Sequence, residues 1–270
     1  MSNFPAVLLA FCSGFAAYGG PPAGEKPRPT ASIVHFKTAG GCLLEAAYRA
    51  PSSGGLVFVN THGLGSNREE WRVLERKVSA KGHGYLSLDL RGHGKSAECA
   101  GKKLDYHAFS SAQWGELSAD IAAAAGFLKT RKIPENRLIL CGASIGANLS
   151  LKAAAEGVKP AALLLLSPGL SYAGVEADPL FKRLGRVPVL IAASRNDPYA
   201  WKSAELLADG YKYAVPVGFA AGAGGHGAGM LSEDRPELLK RILDWAELIA
   251  APKPLPEPSG EPENAKQIRH

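Results

Sequence analysis

Short apolar runs alternate along the chain with longer segments whose apolar positions recur every three or four residues. Residues 32–37 and 42–48 alternate inward and outward positions around Gly40-Gly41, which predicts a β-hairpin. Residues 55–60 form a continuous apolar run, as a strand buried on both faces requires. Further strands are expected over 85–90, from Leu138 into a glycine-bearing turn, and over 161–166, 187–193 and 213–217. Helical spacing is seen at 67–80, at 112–130, after the glycine turn, near 199–208 and near 233–249. In 112–130 the stripe Trp114, Leu117, Ile121, Ala125 and Leu128 reads as core packing, and Pro134 closes the segment. Strands that alternate with helices after an opening hairpin specify an α/β fold. The sheet is mostly parallel and doubly wound, with about eight strands and its chemistry at their carboxyl ends.

Composition narrows this frame. At 270 residues and 46% hydrophobic content the chain can bury a full core, and neither repeats nor low complexity stand out. The net charge of +6 is spread in ones and twos, with no basic run interleaved with aromatics, so a mildly basic surface is expected and no nucleic-acid partner. Residues 4–17 are mostly apolar and end at Gly19-Gly20-Pro21-Pro22. That run is too short for a stable membrane span and fits the core of a secretory signal peptide, so export to the periplasm or medium is expected. A packed or unstructured N-terminal arm on a cytoplasmic protein is the competing reading, since no Lys or Arg precedes the run. The expected organisation is a signal segment and linker over 1–30, one domain over 31–250, and a disordered Pro- and charge-rich tail over 251–270. Cys12, Cys42, Cys99 and Cys141 form no Cys-x-x-Cys pair and do not fix a redox compartment. Cys141 reads as a small buried hydrophobe.

The chemistry concentrates at strand ends. Gly142-Ala143-Ser144-Ile145-Gly146 joins a strand to a helix, and the absence of a Cβ at Gly142 and Gly146 allows a sharp turn with the Ser144 hydroxyl at its apex. The pentapeptide alone is also compatible with an idle serine in a glycine-rich turn. His62-Gly63-Leu64-Gly65 follows the third strand. There the Leu64 amide can pair with the Ile145 amide toward a developing oxyanion, while the His62 side chain braces the loop. Asp197, after the strand at 187–193 and before Pro198, can orient a histidine or cap a helix. His226, in a glycine-rich loop after the last strand, can serve as general base, although a lone loop histidine is usually only solvated. The order Ser144, Asp197, His226 at strand ends joins these separate readings into one nucleophilic site.

These motifs resemble the α/β-hydrolase superfamily over residues 31–250. His62-Gly63-Leu64-Gly65-Ser66 resembles its oxyanion loop, and Gly142-Ala143-Ser144-Ile145-Gly146 its nucleophile elbow. Asp89-Leu90-Arg91-Gly92-His93-Gly94-Lys95-Ser96 resembles a turn typical of the serine aminopeptidase-like and monoacylglycerol lipase-like branch. The resemblance implies Ser144 as nucleophile, Asp197 as acid and His226 as base. Ser144 argues against the haloalkane dehalogenase-like and epoxide hydrolase-like members, which carry Asp at the elbow, and the dienelactone hydrolase-like members, which carry Cys. The segment at 167–186, where larger members insert a cap, is short, so a small cap and a rather open site are expected, with Tyr172 lining the acyl pocket. The implied activity is cleavage of a carboxylic ester of small or medium size through an acyl-enzyme. The alternatives are an amide- or peptide-cleaving enzyme of the same mechanism and a non-catalytic binding module on the same scaffold. No cofactor and no metal are expected. Gly94-Lys95-Ser96 lacks the upstream glycine of a phosphate loop, Gly222-x-Gly224-x-x-Gly227 opens no strand–helix–strand unit, and the histidines lack ligand spacing.

Overall fold

The computed structural model describes residues 30–219 and 225–251. The export segment and C-terminal tail fall almost wholly outside the described residues, as do Gly222 and Gly224 of the fingerprint-like triplet. The opening hairpin is β1 (Ser32–Lys37) and β2 (Cys42–Arg49), antiparallel in register from Ser32↔Tyr48 to Lys37↔Leu43. Gly41 takes φ +80° at the turn, a conformation that favours glycine.

Six strands build the parallel body of the sheet: β3 (Val57–Thr61), β4 (Gly84–Leu88), β7 (Leu138–Ala143), β8 (Ala162–Leu166), β11 (Val189–Ser194) and β12 (Ala214–Phe219). They run in the order β12-β11-β8-β7-β3-β4, and β2 joins antiparallel at β4. Those eight strands are the ones the apolar pattern predicts. Two more, β5 (Glu98–Cys99) and β6 (Lys102–Lys103), extend the sheet to ten and are too short to leave a periodic signal.

Helices cover both faces. On one side lie α2 (Ser111–Glu116), α3 (Ser118–Thr130) and α4 (Ile145–Ala155); on the other lie α1 (Arg72–Ala80) and α7 (Glu237–Ala250). Alternation along β7 divides its side chains accordingly, Leu138 and Leu140 toward the first layer and Ile139, Cys141 and Ala143 toward the second. Cys141 is a free, fully buried thiol.

The single helix expected over 112–130 is instead two. A capping box between Ser110 and Gln113 starts α2, and the chain steps at Leu117 into α3. The apolar stripe survives the step because all five of its residues remain buried. The crossover from β8 to β11 carries only β9 (Ser171–Tyr172), β10 (Val175–Glu176) and α5 (Asp178–Phe181), which is the small cap.

The pairing of β5 with β2 sets Cys99 opposite Cys42, and the two form a disulfide closing a sequence separation of 57 residues. In the chain-entropy account a loop of that length stabilises the folded state by up to about 4 kcal/mol. Cys99→Ser, or reduction of the native protein, is expected to lower the unfolding free energy by about 2–4 kcal/mol. Chemical denaturation with and without reductant reads this directly, and coincident curves would contradict it.

Candidate active site

Ser144 sits between β7 and α4 with φ 56° and ψ −124°, a left-handed conformation that a residue with a Cβ rarely adopts. Its neighbours impose it. The Ser144 N–H continues the sheet ladder to the Leu166 carbonyl at 2.9 Å, while α4 begins at the next residue. A Cβ at Gly142 would collide with the backbone of Gly146 and Ala147, and one at Gly146 with the carbonyls of Thr61 and His62. Only glycine fits at either place. The Ser144 side chain is thereby held at the carboxyl end of β7, mostly buried.

The loop after β3 packs on this turn, where a Cβ at Gly63 would lie 3.4 Å from that of Ser144. His62 is fully buried behind it. Its Nε2 accepts the Leu90 N–H at 3.0 Å, which leaves Nδ1 as the protonated nitrogen, donating to the Gly63 carbonyl at 2.7 Å. Burial pushes the His62 pKa down to about 4, so the ring is a neutral brace. From the other side the Gly63 N–H donates to Glu70 Oε1 at 3.1 Å. Burial raises the Glu70 pKa, against the opposing pull of Ser66, Gly63 and the His226 charge. Asp89 fixes the next turn: it accepts the Arg68 and Lys95 amides at 2.8 and 2.9 Å and pairs with the Arg68 guanidinium. Among the described residues no protein acceptor is found for the Leu64 and Ile145 amides.

On the opposite flank, Asp197 and His226 meet through Oδ2 and Nδ1. Asp197 Oδ1 also accepts the Ala200 N–H at 3.2 Å, capping α6 (Pro198–Asp209). The carboxylate therefore meets both sequence expectations at once, because each oxygen has its own partner. His226 is carried to the turn by Gly227, where a Cβ would lie 3.1 Å from that of Ala143 and 3.7 Å from the Ser144 nitrogen. The Gly227 N–H donates to Ser167 Oγ at 2.9 Å. Ser167 is fully buried at the end of β8 with φ 51°.

Tyr172 reaches closer to the nucleophile than an acyl-pocket wall. Its phenol lies beside the Ser144 side chain, and its ring stands edge-on to His226 with centroids 6.2 Å apart. The structure thus gathers Ser144, Asp197, His226, Tyr172, His62, Gly63 and the Leu64 and Ile145 amides around one turn. Glu70 and Ser167 were not foreseen, since a lone polar residue in a loop carries no sequence signal until its partner is known. Chemically, the arrangement offers a hydroxyl and a carboxylate-oriented imidazole.

A model of the alpha/beta hydrolase family matches residues 56–263. No curated protein matches the sequence. Among solved structures, dienelactone hydrolase from Anabaena variabilis superposes with a TM-score of 0.62 at 17% identity, over 82% of this chain and 96% of that one. Pyrococcus furiosus esterase Pf2001 gives 0.62 at 15% identity, over 81% and 92%. Est1E from Butyrivibrio proteoclasticus, solved with ferulic acid bound, gives 0.60 at 17% identity, over 80% and 98%. At these identities the likeness is one of fold.

The buried brace makes a pH prediction. Between pH 6.5 and about 4 the unfolded chain protonates His62 while the folded chain refuses the proton. Its contribution to stability is therefore full above pH 6.5 and is lost as the pH falls toward 4, by roughly 3 kcal/mol in all. An NMR titration is expected to show the His62 ring as the neutral Nδ1–H tautomer down to about pH 5. A midpoint near 6.5 would contradict the assignment.

Proposed function

The chain belongs to the alpha/beta hydrolase family, and from that premise we propose that it is a serine hydrolase cleaving a carboxylic ester through an acyl-enzyme. The observation that carries this reading is the delivery of the Asp197–His226 pair to a strained Ser144. With Nδ1 engaged by Asp197, His226 has Nε2 left to accept the Ser144 proton. Oγ then bonds to the ester carbonyl carbon, and the resulting oxyanion lies against the Leu64 and Ile145 amides. Collapse of that intermediate breaks the bond to the leaving alcohol, which takes the proton back from His226. Water repeats the sequence on the acyl-Ser144, with His226 again receiving and returning a proton.

An ester is favoured over an amide by the site's surroundings. The small cap leaves the site accessible, and Leu64 at 60% exposure, Leu170 and Tyr199 give its flanks apolar surface for an acyl or alkyl group. Export remains part of the proposal. The apolar segment at residues 4–17 supports it, and so does the Cys42–Cys99 disulfide, a bond that persists in oxidising compartments.

Ser144→Ala and His226→Ala are each expected to lower kcat/KM on a p-nitrophenyl acyl ester by about 10⁴-fold or more while the protein stays folded. Asp197→Asn is expected to cost roughly 10²–10⁴-fold. Steady-state hydrolysis beside a panel of aminoacyl arylamides checks both the mechanism and the ester preference. Unimpaired turnover by Ser144→Ala would overturn the mechanism, and faster amide than ester cleavage would overturn the substrate class.

A further inference from the structure

Tyr172 has a contact that the triad does not require. Its ring is edge-on to both His226 and Tyr199, at 6.2 and 5.5 Å between centroids, and its hydroxyl lies beside the Ser144 side chain. The flank on which it stands is informative. In the sheet β7 lies between β3 and β8, so the Leu64 loop after β3 is on one side of Ser144. Tyr172 arises after β8, on the other side, together with Asp197 after β11 and His226 after β12. The oxyanion is stabilised on the first side, and the leaving oxygen departs on the second, where His226 returns its proton.

The residue is also held more firmly than a surface aromatic. Asn148, fully buried on α4, donates through Nδ2 to the Gly169 and Val175 carbonyls at 2.9 and 2.8 Å and accepts the Gly169 N–H at 3.2 Å. The Leu170 N–H donates to Ser203 Oγ at 3.1 Å. The Tyr199 hydroxyl donates to the Ser171 carbonyl at 2.8 Å and accepts the Ser171 N–H at 3.0 Å. The Tyr172 ring occupies the space a Cβ at Gly169 would need. A hairpin of two-residue strands is thus tied to the two helices capped by Ser144 and Asp197.

We infer that Tyr172 is a catalytic residue that donates a hydrogen bond to the departing oxygen, so that the enzyme is built for esters of unactivated alcohols. The inference rests on the serine-hydrolase reading. In acylation the carbonyl carbon's bond to the alcohol oxygen breaks, the electron pair stays on that oxygen, and His226 supplies its proton. Tyr172 lends a hydrogen bond and keeps its own proton throughout. In deacylation the departing oxygen is Ser144 Oγ itself, on the side chain beside which the phenol lies. Burial, with Asp197 and Tyr199 adding to it, pushes the Tyr172 pKa far above the working range, which suits a donor and excludes a base.

The test compares wild type and Tyr172→Phe on acetate esters whose alcohols run from p-nitrophenol through phenol to ethanol. A p-nitrophenolate leaves without help, whereas an alkoxide needs it. Tyr172→Phe is expected to lose about 10–100-fold in kcat/KM on ethyl acetate and less than about 3-fold on the p-nitrophenyl ester, steepening the dependence on leaving-group acidity. Phe keeps the ring packing on Gly169, and an unchanged thermal unfolding midpoint together with an unchanged circular dichroism spectrum verifies that the variant is folded. Equal losses on every ester would assign Tyr172 a structural role and overturn the inference. Should the variant misfold, Tyr199→Phe, which frees the hairpin while keeping both Tyr172 and the core, is expected to steepen the same dependence less, and an unchanged slope there would overturn it. A wild type that cleaves none of the esters would instead refute the serine-hydrolase reading itself.

Discussion

Everything at the site depends on one backbone conformation, the left-handed turn at Ser144. Holding a residue with a side chain in that region costs of order 1–3 kcal/mol, so the fold must over-determine it. It does so by close approach: Gly142 against the first turn of α4, Gly146 against the end of β3, and the Ser144 N–H tied to β8. Three neighbouring elements therefore converge on one residue. A larger side chain at either glycine would push the helix off the sheet and relax the turn, carrying the hydroxyl away from its partners.

Around that turn the loops are ordered by buried polar groups rather than by their own propensity. Loops rarely organise themselves, and each here borrows a partner from a rigid element. His62 and Glu70 grip the Gly63 peptide from its carbonyl and its N–H, Asp89 locks the turn after β4, Ser167 holds Gly227, and Asn148 holds the cap. Each of these groups is itself satisfied, which is why an uncharged His62 and a half-buried Glu70 are tolerable. The result is a turn whose surrounding loops are held in place by the fold itself.

Much of this was legible in the sequence because its causes are local. Apolar runs marked the eight long strands, and the glycine requirement of a strand-to-helix turn marked Ser144. The strand-end positions of Asp197 and His226 followed from the order of elements, and the structure brings those two side chains together. What could not be read depends on contacts between distant, aperiodic pieces. Cys42 and Cys99 meet through a strand of two residues, and Tyr172 reaches the Ser144 turn from a hairpin whose strands are no longer. The break at Leu117 was hidden for a different reason: the stripe on 112–130 keeps facing the core across it, so periodicity does not report the step.

The central claim is that Ser144 is an activated nucleophile, and a fluorophosphonate probe with peptide mapping tests it most directly. The account predicts one adduct per chain, located on Ser144, lost on heat denaturation and strongly slowed in His226→Ala. Well-folded protein that takes up no probe, or that carries it on another residue, would contradict the account.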